Sequence, residues 1–141
     1  MEISDNIKFR HIMPMQIRWN DTDMFGHVNN SVYFQFYDTA KTQYIADVCP
    51  NVDWHKFAIV MVHVECDFVA PIMAEDQVAV RTSIIRTGRT SMTMLQEAYD
   101  TTTDELRCRC LSVMVFFDQE QRCSTPLPQS WVNAINKYEG R

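Results

Sequence analysis

The sequence predicts an α+β fold in which one antiparallel sheet wraps around one long central helix. Three observations lead there. Apolar residues recur at spacings of three and four through Tyr33, Tyr37, Ala40, Tyr44 and Val48, which is the period of an α-helix. Four later stretches, starting at Ala58, Val78, Thr90 and Leu106, carry the alternating, β-branched and aromatic residues of strands. Short turns join the last three of these, so they pair antiparallel. An apolar sheet face and an apolar helix then bury each other.

Taken in order, Met15 to Trp19 (MQIRW) reads as a short strand with Met15, Ile17 and Trp19 on one face. A polar turn follows, with Asp21, Asp23, His27, Asn29 and Asn30 grouped around Gly26. Ser31 to Val48 is the helix, about 27 Å long for about 18 residues. Asn29 or Asn30 is placed to cap it. Its apolar front, which includes Phe34, is wide enough to be covered on most sides. The helix runs out at Cys49-Pro50, because proline disfavours helix in the residue before it. Ala58 to Ala70 alternates, with Val60, Val62, Val64, Cys66 and Phe68 on one face and Met61, His63, Glu65 and Asp67 on the other. Val78 to Arg86 and Thr90 to Tyr99 form a hairpin about Gly88, and Leu106 to Phe117 is the last long strand. Pro126-Leu-Pro128 breaks the sheet, and Ser130 to Lys137 forms a short surface helix.

A length of 141 residues predicts one domain over 1–141. Apolar content of 46% and charged content of 22% are ordinary for a soluble globular protein. No apolar run approaches the roughly 18 residues of a membrane span. The stretch MEISDNIKFRHIMPM lacks the apolar core of a signal peptide, so the expected location is the cytoplasm. A net charge of −5 argues against nucleic acid, which needs a basic face. An anionic substrate would need a local basic patch. The five cysteines include no C-x-x-C, and free, mostly buried thiols are expected, with Cys108 and Cys110 on one strand face. The four histidines form no H-x-x-x-H or H-E-x-x-H, so no structural metal is expected.

Few residues carry chemistry. Asp21 and Asp23 precede the helix, where a turn carboxylate either caps backbone amides or does acid–base or nucleophilic work. Helix N-terminal amides between Gly26 and Ser31 could stabilise an oxyanion. His27 reads as a positioning residue rather than a base. Gly26 and Gly88 sit in the two turns suspected of ligand contact, where glycine permits positive φ and close approach. Arg86 and Arg89 bracket Gly88, with Arg81 nearby. They are either a solvated surface or a guanidinium clamp for phosphate. There is no G-x-S-x-G nucleophile elbow.

The run D-T-D-M-F-G-H-V-N-N-S-V-Y-F from Asp21 to Phe34 resembles the 4-hydroxybenzoyl-CoA thioesterase-like branch of the hotdog-fold acyl-CoA thioesterases. His63 to Pro71, Thr87-Gly-Arg-Thr-Ser91, Val113 to Asp118 and Thr125-Pro-Leu-Pro128 extend the likeness in order, from about Met15 to Pro128. The resemblance implies a hotdog fold and hydrolysis of an acyl-CoA thioester, with Asp23 catalytic as nucleophile or general base and Asp21 structural. It implies that Gly26, His27, Val28, Asn29, Asn30 and Tyr33 bind or position the substrate. Arg86, Gly88, Arg89 and Thr90 would contact coenzyme A, this turn often reaching the ligand from a neighbouring subunit. A homodimer or homotetramer with interfacial sites is expected, and no cofactor beyond the coenzyme A of the substrate. Two competing readings are an acyl-carrier-protein thioesterase, which needs a larger basic patch, and a non-catalytic acyl-CoA-binding module.

Overall fold

The computed structural model describes residues 6–141. The chain runs β1 (His11–Met15), a 3₁₀ turn (Trp19–Asp21), α1 (Asn30–Val48), β2 (Phe57–Phe68), β3 (Val78–Thr87), β4 (Ser91–Asp100), β5 (Leu106–Asp118), β6 (Cys123–Ser124) and α2 (Gln129–Glu139). The strands form one antiparallel sheet in the order β1-β3-β4-β5-β2, with the short β6 beside the end of β5. The sheet curls around α1, the architecture of the hotdog fold.

Asn29 rather than Asn30 caps α1: its Oδ1 accepts from the Ser31 N–H at 3.1 Å. Cys49 closes the far end, its N–H donating to Ile45 O at 2.9 Å, and Pro50 prevents a further turn. The buried face meets the sheet in two clusters. Val32, Tyr33, Phe36 and Tyr37 pack on Val78, Val80, Ala98 and Cys108. Tyr44 and Ile45 pack on Ile84, Met92, Met114 and Phe116. Between them the buried Gln96 amide donates to Tyr37 O at 3.0 Å and to Thr82 Oγ1 at 3.2 Å. The expectation that α1 is covered on most sides does not hold within this chain. Phe34, Gln35, Asp38, Thr39, Thr42, Gln43, Ala46 and Asp47 form an exposed face, because one curled sheet covers only its concave side.

Three other expectations shift. The first strand lies at His11–Met15 rather than 15–19. The chain leaves the sheet after Met15 and closes the 3₁₀ turn, so Met15 and Ile17 reach the core while Trp19 is 91% exposed. The simple alternation read along the second strand is broken by a bulge between Met61 and His63. Ile59 and Met61 pair across from the core residues Phe116 and Met114; beyond the bulge, Cys66 pairs with Cys110 and Phe68 with Cys108. Phe57, Ile59 and Met61 therefore share the helix side with Val64, Cys66 and Phe68, and Val60 points the other way, because one inserted residue inverts facing. Last, α2 is the expected surface helix but runs longer, over Gln129–Glu139, and anchors one face in the core. Trp131 and Ile135 are fully buried, the Trp131 indole donates to Pro50 O at 2.8 Å, and Glu139 accepts from Tyr44 Oη at 2.7 Å and Ser83 Oγ at 3.0 Å.

All five cysteines are free. Cys108 and Cys110 do face the core together, and burial pushes the Cys108 thiol up to about 12.

Candidate active site

The turn between β1 and α1 is built by two aspartates with different tasks. Asp21 is 2% exposed. Its Oδ2 accepts from the Arg18 N–H at 2.7 Å and its Oδ1 from the Arg18 guanidinium at 3.2 Å, while its carbonyl accepts from the Asn29 N–H at 2.8 Å. Asp21 thus ties the start of the turn to the helix cap. Asp23 is exposed. It opens a tight turn in which the Gly26 N–H donates to Asp23 O at 3.1 Å and the Asp23 N–H to His27 O at 2.8 Å. Asp23 Oδ1 accepts from the backbone N–H of Phe25 at 2.9 Å and of His27 at 3.3 Å. Among the described residues Oδ2 has no hydrogen-bond donor, which leaves one carboxylate oxygen available to a substrate or a water.

Gly26 has φ of +77°, a conformation that costs an L-residue about 1–2 kcal/mol, so its position in this turn is a requirement of the backbone. Bridges between Thr22 and Val28 and between His27 and Met73 fasten the turn to the body of the protein. Val28 is buried, its N–H donating to Ile72 O at 2.7 Å. Tyr33 is buried too: its hydroxyl accepts from the Ile72 N–H at 3.2 Å, its ring meets Phe68 edge-on at 5.2 Å, and burial raises its pKa. Tyr33 is thus a wall beneath the turn. It is the backbone of His27, not its imidazole, that bonds Asp23; the ring lies 6.4 Å from that of Phe25. Asn30 is the first helical residue and is exposed. Its N–H has no acceptor among the described residues, as expected of a helix's first turn, and it points the positive end of α1 toward the turn.

The second predicted group sits elsewhere. Gly88 does not have positive φ; a Cβ there would stand 2.6 Å from Ser91 Oγ, a contact that rotation of the serine side chain relieves. Arg86 and Arg89 are exposed, Thr90 half-buried, and the Thr90 and Arg89 carbonyls accept from Phe116 and Leu127. Arg81 is committed, bonded to the buried Glu97 at 2.8 Å and stacked 4.4 Å over the Tyr99 ring. Met15 pairs with Val78 at one end of β3, and the 88–90 turn follows its other end. Ten residues of strand at about 3.3 Å each separate them by about 30 Å. One copy of the chain therefore does not bring Asp23 and Arg86–Thr90 together.

The reading of the residues passed over the neighbours of Asp23. Met24 is 91% and Phe25 72% exposed, and both follow Asp23 directly in the turn. Large apolar residues left in water within a polar turn were the available signal. Among the described residues no cluster of three His, Cys, Asp or Glu side chains is placed to hold a metal, and no helix is long and apolar enough to cross a membrane.

A sheet curled around one long helix is the architecture of the hotdog fold. The chain belongs to the thioesterase-like superfamily, whose family model matches residues 17–135. Solved structures share the fold. A thioesterase from Thermus thermophilus, complexed with coenzyme A and zinc, is 29% identical with a TM-score of 0.82, over 94% of this chain and 96% of that one. The PA5185 protein from Pseudomonas aeruginosa PAO1 is 25% identical with a TM-score of 0.83, over 92% of each chain. Slr0204, a 1,4-dihydroxy-2-naphthoyl-CoA thioesterase from Synechocystis, is similar in fold, with 24% identity and a TM-score of 0.78 over 89% of this chain and 94% of that one. The protein YsmA of Bacillus subtilis (strain 168) is 22% identical over 86 residues, and the match spans 61% of this chain and 58% of YsmA.

Proposed function

We propose that the protein hydrolyses an acyl-CoA thioester to the free acid and coenzyme A, with Asp23 as nucleophile or general base. The observation that carries this is the asymmetry of the two carboxylates. Asp21 is buried and spent on the turn, whereas Asp23 is exposed, oriented by two backbone N–H groups, and free at one oxygen. Either Asp23 attacks the thioester carbonyl carbon, or it takes a proton from the water that does. The carbonyl electrons move onto oxygen, next to the positive end of α1. Collapse re-forms the carbonyl, breaks the C–S bond and releases a thiolate, which takes up a proton. A thiol pKa of about 8.5 makes this leaving group good enough to need no strong acid. On the nucleophile route water then cleaves the acyl-aspartyl anhydride. No cofactor is required, since coenzyme A is part of the substrate.

Assembly belongs to the same reading. β2 is an edge strand of 12 residues with Val60, Met61, Val62, Val64 and Phe68 exposed, a surface soluble proteins cover. Pairing of two β2 edges in a homodimer would cover it, and would also supply each Asp23 with arginines from another copy. The complex of the Thermus thermophilus relative with coenzyme A supports the ligand class. The test is a steady-state assay of free-thiol release across acetyl-, octanoyl-, benzoyl- and palmitoyl-CoA. Release from at least one supports the reading; a folded protein that releases thiol from none refutes it and favours a binding module.

A further inference from the structure

The Asp23 turn rests on a second segment, residues 71–76, in the connection from β2 to β3. The Val28 N–H donates to Ile72 O at 2.7 Å, His27 bridges Met73, and the Tyr33 hydroxyl accepts from the Ile72 N–H at 3.2 Å. The other side of this segment is held by Arg107, near the start of β5. Its Nη1 donates to Pro71 O at 2.6 Å and to Asp76 Oδ2 at 2.7 Å. Its Nη2 donates to Asp100 Oδ2 at 3.2 Å, and its Nε lies 3.5 Å from Glu105 Oε1. The Arg107 carbonyl accepts from the N–H groups of Val69 at 2.8 Å and Ala70 at 3.1 Å. The exit of β2, residues 71–76 and the end of β4 thus meet at one residue.

Asp76 passes the hold on. The oxygen that receives Nη1 also accepts from the Met73 N–H at 2.8 Å, and the Asp76 N–H donates to Met73 O at 3.1 Å. A path of direct contacts therefore runs from Arg107 through Asp76 and Met73 to His27. It ends on the His27 N–H that donates to Asp23 Oδ1 at 3.3 Å. The guanidinium and the carboxylates of Asp76 and Asp100 are all largely buried. Charge-assisted bonds in such a place are stronger than neutral ones and little screened by salt. Arginine suits the task because its planar fork addresses several acceptors in fixed directions.

We propose that Arg107 is a positioning residue for Asp23, acting through residues 71–76 and the turn rather than on the substrate. The proposal rests on the reading of Asp23 as the group that carries thioester hydrolysis. Without the guanidinium, Asp76 and Asp100 lose the cation between them and Pro71 O loses its side-chain donor. The 71–76 segment then shifts, and the turn shifts with it. Displacing a reacting group by about 1 Å costs about 10²-fold in rate, whereas substrate binding by other groups is kept.

Two readouts test this. For whichever acyl-CoA the protein hydrolyses fastest, Arg107→Gln should lower kcat at least about tenfold with KM within about threefold. Arg107→Lys should recover most of that loss. Both bonds to residues 71–76 start from the single nitrogen Nη1, which an ammonium one bond shorter can replace, while the bond to Asp100 stays broken. Asp76→Ala, which keeps the arginine and cuts the path, should reproduce the loss in kcat. The second readout needs no turnover. Amide hydrogen exchange at Val28, whose N–H crosses to Ile72, should quicken at least about tenfold in Arg107→Gln relative to Leu127, whose N–H bonds Arg89 O at 3.0 Å beyond the far end of β3. Unchanged kcat in folded Arg107→Gln, a raised KM with kcat kept, or a lysine variant as slow as the glutamine variant overturns the proposal. So does Val28 exchange that rises no more than that of Leu127. If Arg107→Gln does not fold, the same outcomes are read on Asp76→Ala. Absence of thiol release from every acyl-CoA counts against the thioesterase reading alone, because exchange at Val28 still decides whether Arg107 holds the turn.

Discussion

Asp23→Asn and Asp21→Asn should separate rate from stability. Asparagine at 23 keeps an Oδ1 able to accept from the Phe25 and His27 N–H groups, now 2.9 and 3.3 Å away, so the turn should persist. It removes the charge that attacks carbon or accepts a proton. The loss expected for such a group is about 10²–10⁴-fold in kcat, or about 2.7–5.5 kcal/mol at about 1.36 kcal/mol per tenfold. Asp21 is different: both oxygens are occupied, at 2.7 and 3.2 Å, and an amide nitrogen would confront one of those donors. Hydrogen bonds to a charged group contribute about 1.5–3 kcal/mol. Because the Arg18 side chain is largely exposed, its ion pair adds little, so Asp21→Asn should cost about 2 kcal/mol. At this chain length that lowers Tm by roughly 6–8 °C. Thiol release under saturating substrate and a calorimetric melt of each variant provide both numbers. In repeated turnover in heavy-oxygen water, label entering Asp23 separates nucleophile from base. If folded Asp23→Asn keeps a near-wild-type kcat, or if Asp21→Asn loses rate without losing stability, the division of labour between the carboxylates is wrong.

Other consequences follow from the same geometry. Val62→Lys puts a charge at the bulge in the middle of the β2 edge, where Val62 is 57% exposed; light scattering should show the assembly reduced to monomer with activity lost, and an unchanged mass would remove this edge from the interface. The double change of Arg86 and Arg89 to alanine should raise KM for acyl-CoA several-fold but not for an acyl-pantetheine lacking the nucleotide, while equal effects on both would assign the arginines to assembly. The Cys49 and Cys108 thiols are raised by burial to about 12 in the folded protein from 9.0. The unfolded chain therefore releases these protons first, and their contribution to stability, full below about pH 9, declines as pH rises toward 12. The urea midpoint should fall between pH 8 and pH 10, and at pH 8 a thiol reagent should modify the exposed Cys123 well before Cys49, Cys108 or Cys110; prompt modification of all in the native state would contradict the burial.

The element order was legible because periodicity records which face is buried. Tyr33, Tyr37, Ala40 and Tyr44 point one way in the sequence and into the sheet in the structure, and Pro50 and Pro71 end elements by removing the amide hydrogen the next bond needs. What could not be read depends on contacts made at a distance. The bulge at Val62 has no residue signature: valine fits either face, and only pairing with β5 decides which side it takes. The anchoring of one face of α2 depends on Trp131 meeting Pro50 and on Glu139 meeting Tyr44, both far away in sequence. Phe34 marks the converse limit. An aromatic residue beside a helical stripe reads as core, yet the curled sheet has no second face to give it.

The geometry of the candidate turn was legible to the extent that it is local. The side chains of Asp21, Asp23 and Asn29 bond neighbours two to four residues away, so a short motif specifies most of the turn, which the Asn29 N–H closes onto Asp21 O. Arg86–Thr90 lie beyond that range, and no spacing in the sequence relates them to Asp23. On the proposed mechanism the N-terminal amides of α1 would stabilise the developing oxyanion beside the carboxylate turn, while a nucleotide held by Arg86 and Arg89 would need the Asp23 turn of another copy. Reversing one β2 edge against another would supply that copy. On that argument catalysis should depend on protein concentration in the range where the assembly dissociates. Specific activity that stays constant through dissociation to monomers would show that one copy holds a complete site, and would require a path to Asp23 that does not use the distant arginines.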